Sequence, residues 1–180
     1  QKVLAIDCEM VGVGNQGKES ALARVSIVDF DLNVVYDNYV KPKERVIDYR
    51  THVSGITPAD LEKGKKFEVV QNEVALLIHQ KILVGHGIFN DLNALCLKHP
   101  RRDIRDTASY SKCKEINQNK TPKLQYLVYS FCKKDIQSNQ HDSVEDARGA
   151  MMVYQHLQYD WEIKHNSMRI EGLRSKKWKS

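Results

Sequence analysis

The chain opens with three extended stretches. Val3-Leu4-Ala5-Ile6-Asp7-Cys8-Glu9-Met10 is apolar apart from its two acids. Ala21 to Phe30 is rich in Val and Ile, Asp31-Leu32-Asn33 forms a turn, and Val34 to Val40 follows. Two extended runs joined by about three turn-forming residues predict a hairpin, and Pro42 ends the third strand. The period then changes. Tyr49 to Ile56 has no clear period and is expected to be a loop. Thr57-Pro58 pairs an N-cap residue with a first-turn proline and predicts a short helix that stops at Gly64. Beyond it, Phe67, Val70, Val74, Leu77 and Ile78 keep helical spacing and predict a helix from Phe67 to Gln80.

Ile82-Leu83-Val84 predicts a short buried strand ending in Gly85-His86-Gly87, and a helix with Ile88, Leu92 and Leu95 inward comes next. Pro100 breaks that helix, and a minor strand is expected around Ile104. Tyr110 to Pro122 is polar, lysine-rich and without period, so a mobile surface loop is expected there. Leu124 to Lys133 reads as a helix with Leu124, Leu127, Val128 and Phe131 on one side. The last long helix starts near Ser143, turns Val144, Ala147, Met151, Tyr154 and Leu157 inward, and fades beyond Trp161. Three strands in a row, then helix alternating with strand, predict an α/β layered domain. Its sheet is expected to be mixed and five-stranded, with the first three strands antiparallel and helices on its faces.

Composition adds an organisation to this pattern. At 180 residues the chain has room for one domain with a proper core. Its net charge of +5 is concentrated at the end, where Lys164, Arg169, Arg174, Lys176, Lys177 and Lys179 face one acid, Glu171. The expected division is a domain over 1–163 and a basic tail over 164–180. A basic balance suits a polyanionic partner, and on charge alone it suits a solvated tail equally well. Cys8, Cys96, Cys113 and Cys132 form no CxxC pair and no ligand-like spacing with histidine. That argues for free thiols in a reducing compartment and against a zinc site. No apolar run approaches the roughly 18 residues of a membrane span, and there is no signal-peptide core. The first residue is Gln1 rather than Met, which fits a domain of a longer protein.

The chemistry starts from Asp7 and Glu9. Residues two apart on a strand point to one face, so both carboxylates project together while Cys8 points away. Two like charges in apolar surroundings are costly, and a hard divalent cation would relieve that cost as well as salt bridging or exposure would. The following Gly12-Val13-Gly14-Asn15-Gln16-Gly17 fits G-x-G-x-x-G but does not open a helix, so it is a connector and not a dinucleotide fingerprint. Asp91 and Asp146 each fall in a predicted first helical turn, where a carboxylate is also favoured by the helix dipole. His141 precedes Asp146 by five residues, about 140° apart if both were helical. It must therefore sit in the loop before the helix, with Asp142 or Ser143 as the cap, to lean toward Asp146.

In combination these stretches resemble a family. Ile6-Asp7-Cys8-Glu9-Met10-Val11-Gly12, Gly85-His86-Gly87-Ile88-Phe89-Asn90-Asp91-Leu92 and His141-Asp142-Ser143-Val144-Glu145-Asp146-Ala147 are similar, in order, to the three motifs of the DEDDh (DnaQ-like) 3′→5′ exonucleases. Ala23-Arg24-Val25-Ser26-Ile27-Val28, Asp48-Tyr49-Arg50-Thr51 and Arg105-Asp106-Thr107 narrow the resemblance to the RNA exonuclease 4 subfamily, a relative of the interferon-stimulated exonuclease. The resemblance implies a ribonuclease-H-like fold and a site in which Asp7, Glu9, Asp91 and Asp146 hold two divalent cations, Mg²⁺ or Mn²⁺. His141 would be the general base, a task suited to an imidazole near neutral pH. His86 is the rival base and is read as structural. The resemblance further implies that Met10 lies against the terminal nucleotide and that Arg50 contacts its ribose or phosphate. The expected activity is release of nucleoside 5′-monophosphates from single-stranded RNA, with DNA as a second substrate, in pre-ribosomal RNA processing in the nucleus or nucleolus. Two other readings remain open: a non-catalytic RNA-binding assembly factor, and a DNA-directed repair exonuclease.

Overall fold

The computed structural model describes residues 2–136 and 141–177, with side chains as far as residue 167. Strands β1 (Val3–Val13), β2 (Glu19–Asp29) and β3 (Val34–Lys41) form the antiparallel meander that the first three apolar runs predict. Thr51–Ser54 (α1) and Pro58–Glu62 (α2) follow, then Lys65–Lys66 (β4) and Phe67–Ile78 (α3). Ile82–Gly85 (β5), Phe89–Ala94 (α4) and Ile104–Asp106 (β6) lead to Ser111–Glu115 (α5), Leu124–Cys132 (α6) and Ser143–Lys177 (α7). The sheet order is β4-β3-β2-β1-β5-β6, with β5 parallel to β1 and β6 parallel to β5.

The sheet therefore has six strands where the sequence predicts five. The extra one is a two-residue pairing of Lys65–Lys66 with Val40 and Lys41. It is made by backbone alone, so two lysines give no apolar pattern to reveal it.

Alternation along β1 fixes what each face meets. Val3 and Ala5 pack with Leu127 and Val128 of α6 and with Met151 and Tyr154 of α7. Leu4, Ile6 and Cys8 pack with Val70 and Val74 of α3, with Ile88 just ahead of α4 and with Leu92 in it. The result is a helix–sheet–helix sandwich, the fold class that the resemblance implies. By the same parity Asp7 and Glu9 lie on the α7 face.

Three segments differ from expectation. Tyr49 to Ile56 contains the short helix α1, because Ser54 Oγ bonds the Tyr49 and Arg50 carbonyls and Thr51 Oγ1 donates to Ile56 O at 2.6 Å. Tyr110 to Pro122 is tied down by α5, with Tyr110 and Cys113 buried. The Tyr110 ring stacks on Trp161 at a centroid distance of 3.8 Å. Finally, α7 passes Trp161, where its pattern is expected to fade, and runs to Lys177. Among the described residues no helix is long and apolar enough to cross a membrane.

Candidate active site

The acids converge at the middle of β1. Asp7, Glu9 and Asp146 each offer a carboxylate oxygen, and these oxygens lie within 4.8 Å of one another. Two come from the strand and the third from the first turns of α7, which must therefore be held over β1. Asp142 caps that helix, accepting the Glu145 N–H at 3.0 Å. Arg24 of β2, opposite Glu9 in the sheet register, grips Asp142 through Nη1 at 2.7 Å and Asp37 of β3 through Nε at 2.8 Å. Ser26 Oγ and Ser143 Oγ share a 2.6 Å hydrogen bond beneath. Cap, guanidinium and hydroxyl pair thus fix where Asp146 stands.

Asp91 reaches the site from the other face. It lies in α4, and its Oδ1 accepts the backbone N–H of Cys8 at 3.0 Å, between the two acids of the strand. It is outside the three-oxygen cluster, yet its charge is the strongest carboxylate influence on Asp7. Met10 keeps the parity of Leu4, Ile6 and Cys8 and packs partly buried against the α3–α4 side, while the register shift after Glu9 skips Ala23 of β2.

Electrostatically this arrangement is under tension. Burial, then the charges of Asp91, Asp146 and Glu9, push the Asp7 carboxyl well above its ordinary range. Burial and Asp146 push Glu9 up to about 8, against the pull of Arg24. Asp91 is pushed up to about 7 by burial, although the Cys8 hydrogen bonds oppose it. Oε1 of Glu9 is buried and has no hydrogen-bond partner among the described residues. An all-oxygen donor set with an orphaned oxygen and acids whose charge is only partly compensated has the chemistry a hard divalent cation requires.

His141 stands in the loop ahead of α7, as its spacing requires. Its backbone N–H donates to Val53 O of α1 at 2.9 Å, and its Nδ1 lies 2.9 Å from Asp146 Oδ2. With Asp146 ionised, Nδ1 carries the proton and Nε2 is the acceptor nitrogen. A cleft of about 450 Å³ opens here, lined by Asp7, Asp146, His141, His86, Lys123 and Gln125 with Leu124.

His86 thus belongs to the cleft wall. Its Nδ1 lies 2.8 Å from Thr107 Oγ1, and Thr107 Oγ1 donates to Gly85 O at 3.1 Å. Burial pushes its pKa down, so the ring is neutral at neutral pH. Arg50 is placed differently from the expectation for a substrate contact. Its guanidinium donates to Gly17 O and Ser20 Oγ, both at 2.9 Å, and so ties down the glycine-rich turn between β1 and β2. Gly14, Gln16 and Gly17 take positive φ in that turn, which confirms that the glycines serve a tight connection.

Lys123 and Gln125 are cleft residues that no sequence motif marks, and Arg24 takes its role from the sheet register. Gln125 and Lys123 flank the start of α6, a position with no motif. Arg24 could have been found from its register opposite Glu9, since a cation beside two acids is a compensating charge.

Comparison with known proteins agrees with this geometry. The profile of the Exonuclease family (RNase_T) matches residues 4–154. RNA exonuclease 4 of Debaryomyces hansenii is 48% identical over 176 residues, which cover 98% of this chain and 64% of that protein. RNA exonuclease 4 of Homo sapiens is 48% identical over 161 residues, 89% of this chain and 38% of that one. The chain therefore spans less than two thirds of the length of these relatives. Among solved structures, the Saccharomyces cerevisiae Pan2 pseudoubiquitin hydrolase–RNA exonuclease module in complex with AAGGA RNA superimposes with a TM-score of 0.75 at 32% identity. That match covers 97% of this chain and 32% of the module. With the match over residues 4–154 and nearly half of all positions identical to curated relatives, the chain belongs to the exonuclease (RNase_T) family.

Proposed function

We propose that this domain is a divalent-cation-dependent 3′→5′ exonuclease that trims single-stranded RNA to nucleoside 5′-monophosphates. The observation that carries the reading is the convergence of Asp7, Glu9 and Asp146 within 4.8 Å, with His141 bonded to the last of them. A binding factor would gain nothing from paying the electrostatic cost of that cluster, whereas a hydrolase needs it. The relatives named RNA exonuclease 4 and the RNA-bound Pan2 module support RNA as the polymer.

Asp7, Glu9 and Asp146 would hold the cations, with Asp91 completing the set from α4. Bound divalent ions supply an activated water and stabilise the leaving 3′ oxygen in an in-line displacement. The chain's own residues do the rest. Asp146 fixes the His141 ring through Nδ1, and Nε2 takes the proton of the attacking water. Lys123 at the cleft mouth attracts the phosphate backbone without reading sequence. Neutral His86, held by Thr107, presents an uncharged wall. The setting we propose is pre-ribosomal RNA processing in the nucleus or nucleolus.

The test is release of mononucleotides from 5′-labelled single-stranded RNA and DNA of one sequence, with Mg²⁺ or Mn²⁺ and with EDTA. A ladder shortening from the 3′ end, faster on RNA and abolished by EDTA, is the expected result. Internal cleavage, shortening from the 5′ end, or binding without release would overturn it.

A further inference from the structure

The geometry points to a second nucleotide-binding subsite, a pocket of about 510 Å³ alongside β6, which takes a nucleotide upstream of the scissile bond. This rests on the exonuclease reading and extends it along the strand.

The pocket lies outside the carboxylate cluster. Its residues include Phe89, Arg101, Tyr110, Trp161, Lys164 and His165. Its volume is that of a small-molecule site. The floor is rigid, because the Tyr110 and Trp161 rings stack within 5° of parallel and both are buried. Phe89 is 47% exposed, although it sits in the first turn of a helix whose other apolar residues are inward. Two cations border it: exposed Arg101, and Lys164, which donates to Ser111 Oγ at 2.8 Å and lies over the Tyr110 ring. An exposed aromatic face with cations beside it is how proteins hold single-stranded nucleic acid without sequence preference. The pocket's acid, Asp106, is already engaged, since its Oδ1 accepts the Gly87 and Ala108 N–H groups.

Continuity with the cleft identifies the occupant. One wall, residues 85–89 against 106–108, separates the two hollows. His86 lines the cleft and Phe89 the pocket, while Thr107 holds His86 and Asp106 holds Gly87. The elements follow the sheet order β1, β5, β6, so the carboxylates, His86 and the pocket mouth lie over successive parallel strands. Two strand spacings are roughly 10 Å sideways, and Lys164 lies eighteen residues beyond Asp146 on α7, roughly 27 Å along the axis, so the pocket stands several nucleotides upstream of the carboxylates. A strand with its 3′ end at Asp7 and Asp146 that leaves toward β6 therefore crosses the wall and places a base against Phe89. Its phosphates then meet Arg101 and Lys164.

The experiment compares the parent protein with Phe89→Ala and with the Arg101→Ala/Lys164→Ala double variant. The substrates are oligoribonucleotides from two to ten residues and the p-nitrophenyl ester of thymidine 5′-monophosphate, which has no upstream nucleotide. In the parent, KM should fall as the strand lengthens. In both variants KM on the longer strands should rise about tenfold, within the range of a lost base–aromatic stack, while ester hydrolysis stays within twofold. The double variant should also lose about 1.4 from the slope of log KM against log salt, the share of two single-strand phosphate contacts. An active parent whose length dependence the variants keep would overturn this subsite alone, as would variants that lose ester hydrolysis in proportion. A parent that releases no nucleotide from any substrate would overturn the exonuclease reading and the subsite with it.

Discussion

Nδ1 of His141 lies 2.9 Å from Oδ2 of Asp146, across five residues of sequence that include a helix cap. The bond joins a loop residue to a helix residue, and it lasts only while the loop keeps its place on Val53 O. Removing the imidazole should therefore cost the proton transfer and little else. His141→Ala is expected to lower kcat by about 10²–10⁴, the usual share of general-base catalysis, with KM nearly unchanged. His86→Ala should cost far less, because that ring is bound to Thr107 and is not bonded to an acid of the cluster. Steady-state rates on one labelled RNA decide between them, and equal losses would move the base to His86.

Parity makes the Asp7–Glu9 pair legible in the sequence, while Asp91, Asp146 and His141 stand out as site residues through the motif resemblance. Asp7 and Glu9 share a face whichever strand pairs with β1, and five residues cannot share a helical face, so His141 had to precede α7. What was not legible depended on contacts between distant segments. Arg50 looks like any loop arginine until β1 and β2 bring Gly17 and Ser20 beneath it. Tyr110, Cys113 and Ile116 have the three-residue spacing of a helix face, yet the lysines around them hid it, and packing on Trp161 with the Lys164–Ser111 bond makes α5 a fixed element. β4 has no side-chain signal at all.

The crowding around Asp7 makes a prediction that separates folding from chemistry. Asp7→Asn removes one charge from a group whose neighbours Asp91, Asp146 and Glu9 all raise its pKa. Nucleotide release should fall below detection, while thermal unfolding in EDTA at pH 8 should shift upward by a few degrees. Activity near the parent's, or a lowered midpoint, would contradict the shared-ligand role.

The same crowding sets a pH dependence for the metal-free protein. Glu9 and Asp91 have folded pKa values raised to about 8 and about 7, above their unfolded values. Between those limits the folded state binds more protons than the unfolded one, so stability falls as pH rises. The loss should begin above about pH 4 and be complete once pH passes about 8. Midpoints measured in EDTA from pH 5 to 9 should decline across that window. Adding Mg²⁺ or Mn²⁺ should raise the midpoint more at pH 8.5 than at pH 5.5, because protons compete for the same oxygens. A flat metal-free profile would show that the acids are compensated by something else.

Arg24 ties the site to the sheet, and its loss should show in both stability and rate. The guanidinium is 14% exposed and holds Asp37 and Asp142 together. Arg24→Met keeps the length of the chain but leaves both acids without their cation, at a cost of about 1.5–3 kcal/mol. It also frees the cap of α7, so kcat should fall along with stability. Arg24→Lys should recover only part of either, since an ammonium cannot reproduce the fork that spans two carboxylates. Urea unfolding and single-turnover rates measure the two effects separately, and full recovery by lysine would show that charge alone is needed.

A change far along the same helix should do the opposite, weakening the fold and sparing the chemistry. Arg105 of β6 is 3% exposed, and its Nε and Nη2 donate to the two oxygens of Glu162 at 2.6 and 2.7 Å. Glu162 lies sixteen residues beyond Asp146 on α7, roughly 24 Å along the axis. Burial opposes its ionisation, yet the Arg105 hydrogen bonds and charge hold its pKa below the ordinary value. The pair therefore adds stability above the unfolded carboxyl pKa and loses it as pH falls through the folded value. Glu162→Gln leaves a buried guanidinium without its counter-charge and should cost about 2–3 kcal/mol at pH 7, the scale of a charged hydrogen bond. As pH falls through that lowered value the parent and variant should converge, because protonated Glu162 no longer differs from the amide in charge. Rates on short RNA should stay within twofold. A large rate loss would mean that the far half of α7 carries strain to Asp146, and an unchanged midpoint would mean that Arg105 is satisfied by the Arg102 and Ile104 carbonyls alone.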